Sequence, residues 1–323
     1  VGQLLAPITN LFRNHKLKIL TFFVSLILFL VWLFPFEDIG DLVTTQISHL
    51  SGNQIYVSFD QLDLAVIPQP GLEMSKVKVE TVGLPALDMG HLFVSTSILG
   101  LITFRPGVTA VADDIAGGKL SLSTRGGEKT KAGIRKQIVS VDAKGLNLEK
   151  VLELLGTSLR LKGSISTDMS TSVDTTFAEQ PEGDFDFLTQ ELNLEGAQVP
   201  TPMGAFPLPN LKVSQLKFEG NMKSGKLMIS RGEIGGTKND WISGTITGQL
   251  DVQVNPGPGG SPSFQPGGYN FAVKLKVKPE LEKEAGLILG FIEKYKRPAG
   301  NAADYSFRVS SQSFNSPPSL GPL

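Results

Sequence analysis

The chain has 323 residues, with 30 Lys+Arg against 31 Asp+Glu and a formal net charge of -1. A near-neutral chain of this length has no general field to attract nucleic acid or an anionic surface, which argues against DNA or RNA as a partner. The absence of cysteine removes disulfides, thiolate metal sites and a cysteine nucleophile, while 35 Gly and 20 Pro set between short apolar alternations point to many strands and turns.

The first predicted element is apolar throughout. From Ile19 to Phe36 the chain reads ILTFFVSLILFLVWLFPF, without a charged residue. At about 1.5 Å per residue this run spans roughly 27 Å, close to the hydrocarbon thickness of a bilayer, and predicts one transmembrane helix over 19–36. Its anchoring side chains are Ile19, Leu20, Phe22, Phe23, Leu26, Ile27, Leu30, Trp32, Phe34 and Phe36. Arg13, Lys16 and Lys18 precede the run, and Glu37, Asp38 and Asp41 follow it. The positive-inside rule therefore sets a short cytoplasmic N-terminus over 1–18 and puts the rest of the chain across the membrane. A cleaved signal peptide shares the basic start and apolar core, but the length of the run and its ending in Phe34-Pro35-Phe36 favour an anchor.

After the anchor, Ile39, Leu42, Val43, Ile47 and Leu50 recur at helical spacing, predicting an amphipathic stalk over 37–52 that Gly52 ends. Period-two segments then fill 53–312. Ile55, Val57 and Phe59 share one face, and Leu62, Leu64 and Val66 continue after a one-residue shift that suggests a bulge. Val77 with Val79, Leu120 with Leu122, and Val139 with Val141 add short strands. The longest signals place Leu159, Leu161, Ile165 and Met169, then Ile246 and Leu250, then Phe271, Val273 and Leu275 on apolar faces opposite Ser, Thr, Asp and Lys. Such alternation predicts a mainly β body, an antiparallel sheet with one solvated face. Its other face is either a covered core or an open groove.

Two amphipathic helices are predicted to cover part of it. Asn147 caps the first, whose stripe is Leu148, Val151, Leu152 and Leu155 and whose stop is Gly156. The second opens at Pro279, carries Leu281, Ala285, Ile288, Leu289 and Ile292, and closes in Lys294, Lys296 and Arg297. The likeness of Leu161–Met169 to Ile242–Leu250 fits two related halves meeting near 180–210, and equally fits the ordinary composition of strand starts. Pro200 to Pro209 reads as an ordered extended connection, Asn255 to Gly268 as a mobile hairpin loop, and 313–323 as a disordered tail.

Chemistry is scarce. The three histidines, His15, His49 and His91, are far apart and lack the spacing of a metal site. Nucleophile elbows and phosphate-binding glycine loops are missing, and the carboxylate pairs Asp113/Asp114 and Asp184/Asp186 read as solvated loop charge. No enzyme and no cofactor are expected.

The order of features carries a resemblance. A basic N-terminus, an apolar helix ending in Phe34-Pro35-Phe36, Pro68-Gln69-Pro70-Gly71, the run from Ser95 to Leu122 and the helix from Leu146 to Gly156 come first. Met203-Gly204, Leu208-Pro209-Asn210-Leu211, Gly225-Lys226-Leu227, Gly235-Gly236, Asp240 and Gly244-Thr245-Ile246 follow. From about Ile19 to about Val309 this resembles the N component of the type II secretion system (GspN), of the delta-proteobacterial and spirochaete variety, and the layout looks like that of the AsmA-type envelope proteins. The resemblance implies an inner-membrane protein, single-pass, with a periplasmic body formed by a curved sheet. It further implies a non-enzymatic role in secretion assembly, with other inner-membrane platform proteins and the secretin as partners. The AsmA likeness implies the alternative, a protein that binds or conveys lipid along an apolar sheet groove.

Overall fold

The computed structural model describes residues 21–22, 25–26, 29, 36–65, 69–81, 84–97, 100, 107–131, 133–156, 161–195, 198–201, 204–207, 209–256, 262–299 and 302–323. Most of the predicted segment 19–36 lies outside the described residues, as do Arg13, Lys16, Lys18 and Leu159. Phe22 and Leu26, which are described, are helical and exposed. Among the described residues no helix is long and apolar enough to cross a membrane.

The stalk helix is present as α1 (Phe36–Leu50), stopped by left-handed backbone at Gly52 and Asn53. Strands β1 (Ile55–Ser58), β2 (Gln61–Ala65), β3 (Gly71–Thr81), β4 (Leu84–Thr96), β5 (Val108–Ile115), β6 (Gly118–Lys129) and β7 (Arg135–Asn147) follow. Helix α2 (Leu148–Leu154) leads into β8 (Leu161–Val173) and β9 (Glu182–Leu194). Next come β10 (Gln198–Thr201), β11 (Gly204–Pro207), β12 (Leu211–Lys223), β13 (Lys226–Ile234), β14 (Ile242–Pro256) and β15 (Pro262–Val277). The chain closes with α3 (Pro279–Glu284), α4 (Gly286–Gly290), a 3₁₀ turn Glu293–Tyr295, β16 (Lys296–Ala299), β17 (Ala302–Ser311) and β18 (Ser319–Pro322).

All of these strands except β10 and β11 belong to one open antiparallel sheet of 16 strands. Its order follows the chain almost without crossovers, because each hairpin pairs a strand with the next. Two tight turns show how the sequence enforces this. Ala116-Gly117 and Ser224-Gly225 both hold positive φ at the two central positions, the type I′ geometry that matches strand twist. At about 4.8 Å per strand, the path from β1 to β16 is roughly 60 Å wide. The edges are short: β1 and β2 share β3 at one side, while β16 and β18 share β17 at the other. Interrupted edge strands, two of them carrying Pro298 and Pro322, offer little to a foreign strand.

Several expectations need correction. The connection near 180–210 does not interrupt the sheet, since β9 pairs directly with β12. The connection over 200–209 is not simply extended: β10 and β11 form a hairpin that pairs only with itself, and Met203 and Leu208 lie outside the described residues. The predicted tail 313–323 returns as β18, because β17 has open backbone groups from Phe307 to Ser310 that Pro322 to Ser319 fill. The second helix is in pieces, α3 and α4 being separated at Ala285 (φ -104°, ψ 16°). The loop 255–268 is shorter than expected, since pairing continues to Pro256↔Pro262 and the tip 257–261 lies outside the described residues. Finally, the strand that carries Leu161, Ile165 and Met169 ends at Val173. Buried Asp174 there accepts from the backbone N–H groups of Thr176, Ala178 and Glu179 and makes a turn.

Candidate functional site

Residues opposite one another in antiparallel strands point to the same side of a sheet, so the register shows what each face carries. One row crosses from edge to edge. It runs Leu64, Leu72, Val94, Ala110, Leu122, Val141 and Met169, then Phe185, Gly220, Ile229, Gly248, Phe271, Val309 and Leu320. No member is polar. The neighbouring row from Leu62 through Met74, Leu92, Ala112, Leu120 and Ala143 to Phe187, Phe218, Ile246, Val273 and Phe307 has a single polar member, Thr167, whose hydroxyl donates to the Asp186 carbonyl. A row of this kind survives across so many strands because bulges correct the pleat. On β13 the register shifts between Ile229 and Gly232, so that both residues stay on the apolar face.

The helices cover only one end of this apolar face. There Leu148 of α2 packs with Leu192 and Val213, and Leu281, Ala285 and Leu289 of α3 and α4 pack on Val273, Val277, Ala303, Tyr305 and Phe307. Val277 is 0% exposed and Tyr305 1%. At the β1–β2 edge, α1 comes so close that the Phe59 ring lies 3.2 Å from where a Cβ on Gly40 would stand. Along the edge-to-edge row, from Leu122 to Gly248, no residue is buried; Leu122 is 40% exposed and Met169 37%. A sheet built as the core of a two-layer domain would bury these positions.

The bare stretch is also smooth. Phe185 lies over Gly220, Phe218 over Gly232 and Phe271 over Gly248, each on the directly opposite residue, with ring atoms 2.6, 3.1 and 2.8 Å from an imagined Cβ. The rings therefore lie along the sheet instead of standing off it. Phe187 and Phe218 are 6.3 Å apart between ring centres. The resulting surface is broad, low and apolar.

The opposite face is wet. Ser140 and Ser170 are hydrogen-bonded at 3.1 Å, and Lys217 pairs with Glu219 and, at 3.7 Å, with Asp186. Arg231 binds Glu233 at 2.8 Å. The hydrogen bond from the Lys217 ammonium holds the Glu219 carboxyl below its usual range. The carboxylates expected on loops are on strands, Asp113 and Asp114 in β5 and Asp184 and Asp186 in β9; Asp113 pairs with Lys119 at 2.9 Å, and the His91 ring lies 3.4 Å from the Ser75 hydroxyl. Among the described residues no group of three or more His, Asp or Glu is placed to hold a metal.

A second tightly held carboxylate besides Asp174 is Asp240, in the turn between β13 and β14. Burial pushes its pKa up, but the Ser214 hydroxyl and the backbone N–H groups of Thr237, Gly236 and Ser214, at 2.7 to 2.9 Å, outweigh burial and hold it far below the carboxylate range. With its oxygens taken up by Ser214 of β12 and by Gly236 and Thr237 of the turn, this side chain ties the turn to the sheet.

The residues expected on an apolar face thus divide. Leu161, Ile165, Ile246, Val273 and Leu275 belong to or pack against the covered core, and Phe271 stands at its margin. Met169 and Leu250 lie outside the clusters, on the bare stretch. Ala110 and Phe185 were not among the expected residues, and with Leu122 and Val141 of the predicted short strands they extend the face across β5 to β9. For Phe185 the signal lay in Asp-Phe-Asp-Phe alternation on β9, while Ala110 is too small to mark a face by itself. The chain matches no family model, no curated protein and no solved structure.

Proposed function

We propose that this protein is a non-enzymatic binder of lipid acyl chains, which lie along the bare stretch of the apolar sheet face. The observation that carries the reading is the edge-to-edge row without a polar member, uncovered from Leu122 to Gly248. Exposed apolar surface this continuous is costly in water and marks an interaction site. Acyl chains suit it better than a folded partner, because a smooth floor with no donors or acceptors gives a protein nothing to read. The apolar run 19–36 fits this role as a single inner-membrane anchor, with the sheet in the periplasm.

The test is native mass spectrometry of the full chain, gently solubilised. Co-purifying phospholipid is expected, and the Leu122→Asp, Met169→Asp double variant should lose it while keeping its circular dichroism. Lipid absent from the unaltered chain, or retained equally by the variant, overturns the proposal.

A second reading, an assembly component of a type II secretion platform, is favoured by the order of sequence features and by the β10–β11 hairpin, which among the described strands pairs only with itself. Contact with platform proteins or the secretin through that hairpin predicts impaired export of folded periplasmic proteins when residues 198–207 are replaced by a short linker. Normal export would remove this reading and leave the first intact.

A further inference from the structure

The apolar face changes character along β6, β7 and β8 as these strands run away from the helices. The edge-to-edge row contributes Leu122, Val141 and Met169. Two residues further along, the same side carries Thr124, Val139 and Thr171, and two further again Gly126, Gln137 and Val173. Beyond them Lys129 stands directly opposite Arg135, where β6 and β7 meet their connecting turn. Between Gly126 and Lys129 the register holds a bulge, with Gly127 and Glu128 both opposite Lys136. The Ile138 side chain lies 3.1 Å from where a Cβ on Gly127 would stand, which puts the bulge on the polar side and leaves Lys129 and Arg135 on the apolar one. Polarity therefore rises in steps, from a hydrocarbon floor to a pair of cations.

This corner is also where the chain concentrates positive charge. Although the net charge is -1, residues 124–137 hold Arg125, Lys129, Lys131, Arg135 and Lys136 against Glu128 alone. Glu128 lies with Lys136 on the polar side of the bulge. Glu179, which reaches the turn from the β8–β9 connection, is taken: it pairs with the Lys136 ammonium at 2.7 Å and accepts from the Lys131 backbone N–H at 3.1 Å. Among the described residues Lys129 and Arg135 have no ion-pair partner. Like charges directly opposite each other destabilise a sheet, so the fold alone gives no reason for the pair.

We propose that Lys129 and Arg135 hold the phosphate of a phospholipid whose acyl chains lie on the bare stretch, so that the headgroup points towards the β6–β7 turn. This rests on the reading of that stretch as an acyl-chain surface, and it names the polar end. The dimensions agree. Half the hydrocarbon thickness of a bilayer, the reach of one acyl chain, is about 15 Å. At about 3.4 Å per residue, that distance from Arg135 ends between Val139 and Val141, on the open floor and short of Ala143, which is 3% exposed at the covered end. Two cations facing each other across adjacent strands match the two unesterified oxygens of a phosphodiester, and the Arg135 guanidinium has the fork to bind both.

The test is a competition read by native mass spectrometry on the full chain in mild detergent, with equal phosphatidylglycerol and diacylglycerol of the same acyl composition. The unaltered chain is expected to take up phosphatidylglycerol about tenfold more than diacylglycerol, the scale of a charge-assisted contact. Lys129→Gln with Arg135→Gln should take up the two alike, with diacylglycerol uptake unchanged. Arg125→Gln removes a cation from the polar side, opposite Ile138, and should keep the preference. The double variant should hold or raise its melting temperature, since it relieves a repulsion. Uptake of neither lipid overturns this inference together with the acyl-chain reading. Uptake of both without preference, or a preference that survives in the double variant, overturns the phosphate site alone and leaves the acyl-chain reading standing. Stronger uptake of oleate than of phosphatidylglycerol also overturns it, in favour of a carboxylate ligand.

Discussion

The apolar face is covered at one end of its strands and bare along the middle, although the same strands supply both. At the covered end, β15 and β17 contribute Val277, Ala303 and Tyr305, which α3 and α4 seal from water. Further along those strands Phe271 and Val309 pack at the margin of that core and are only partly buried, and on β6 and β8 Leu122 and Met169 are open. The difference teaches that alternation along a strand specifies which side is apolar, while the helices decide which part of that side becomes core. Stability should therefore reside at the covered end, and function at the bare one.

The largest effect that could break this division is a cavity under the helices. Leu281→Ala removes a side chain that is 3% exposed and should cost about 3 kcal/mol, whereas Met169→Ala on the bare stretch should cost under about 1 kcal/mol. Urea unfolding of the full chain in mild detergent measures both. Equal losses would mean that the open face is packed in solution and that the division is false.

A smaller effect sharpens the comparison with pH. Asp240 lies beside the covered end, and its folded-state pKa is depressed. A depressed carboxylate contributes stability above its unfolded pKa of about 3.9, and that contribution is lost as pH falls from there towards the folded value. Asp240→Asn keeps one acceptor but gives up the charge, and should cost about 1–2 kcal/mol at pH 7, allowing for partial contact with water. The penalty relative to the unaltered chain should shrink as pH drops below about 4. A penalty that stays constant down to pH 2 would show that the carboxylate charge is not what holds the turn.

How much of this was legible in the sequence follows the range of each interaction. The stalk α1, helix α2 with its Asn147 cap, and the hairpins were readable because caps, turns and alternation are local; Asn147 Oδ1 accepts from the Lys150 N–H as the spacing implies. Helix pieces α3 and α4 misled because Gly286 and Gly290 interrupt a stripe whose period is still helical. Strand β18 was invisible, since Ser-Leu-Gly-Pro has no strand pattern and gains its order from the β17 edge. The apolar face was half legible. The long strands revealed Met169 and Leu250, but the register shift between Ile229 and Gly232 changes the phase on β13, and the row through Ala110, Leu122 and Phe185 emerges only from cross-strand pairing. Whether the face was core or groove was not in the pattern at all, because it depends on where two short helices dock.

The smallest expected effect lies on the polar face, and it tests whether the sheet needs a second layer there. Glu219 pairs with Lys217, lies 3.9 Å from Arg231, and sits in a lattice with Asp186 and Glu233. All five side chains are in contact with water, so solvent screens each pair and the gain from ordering one long side chain is offset by its lost freedom. Glu219→Gln should shift the melting temperature by less than about 2 °C, and 1 M salt should erase that difference. The Leu281→Ala loss should survive the same salt unchanged, since apolar burial is not screened. A large, salt-sensitive drop on Glu219→Gln would instead mean that the ion-pair lattice, and not the helical cover on the other face, holds the middle of the sheet together.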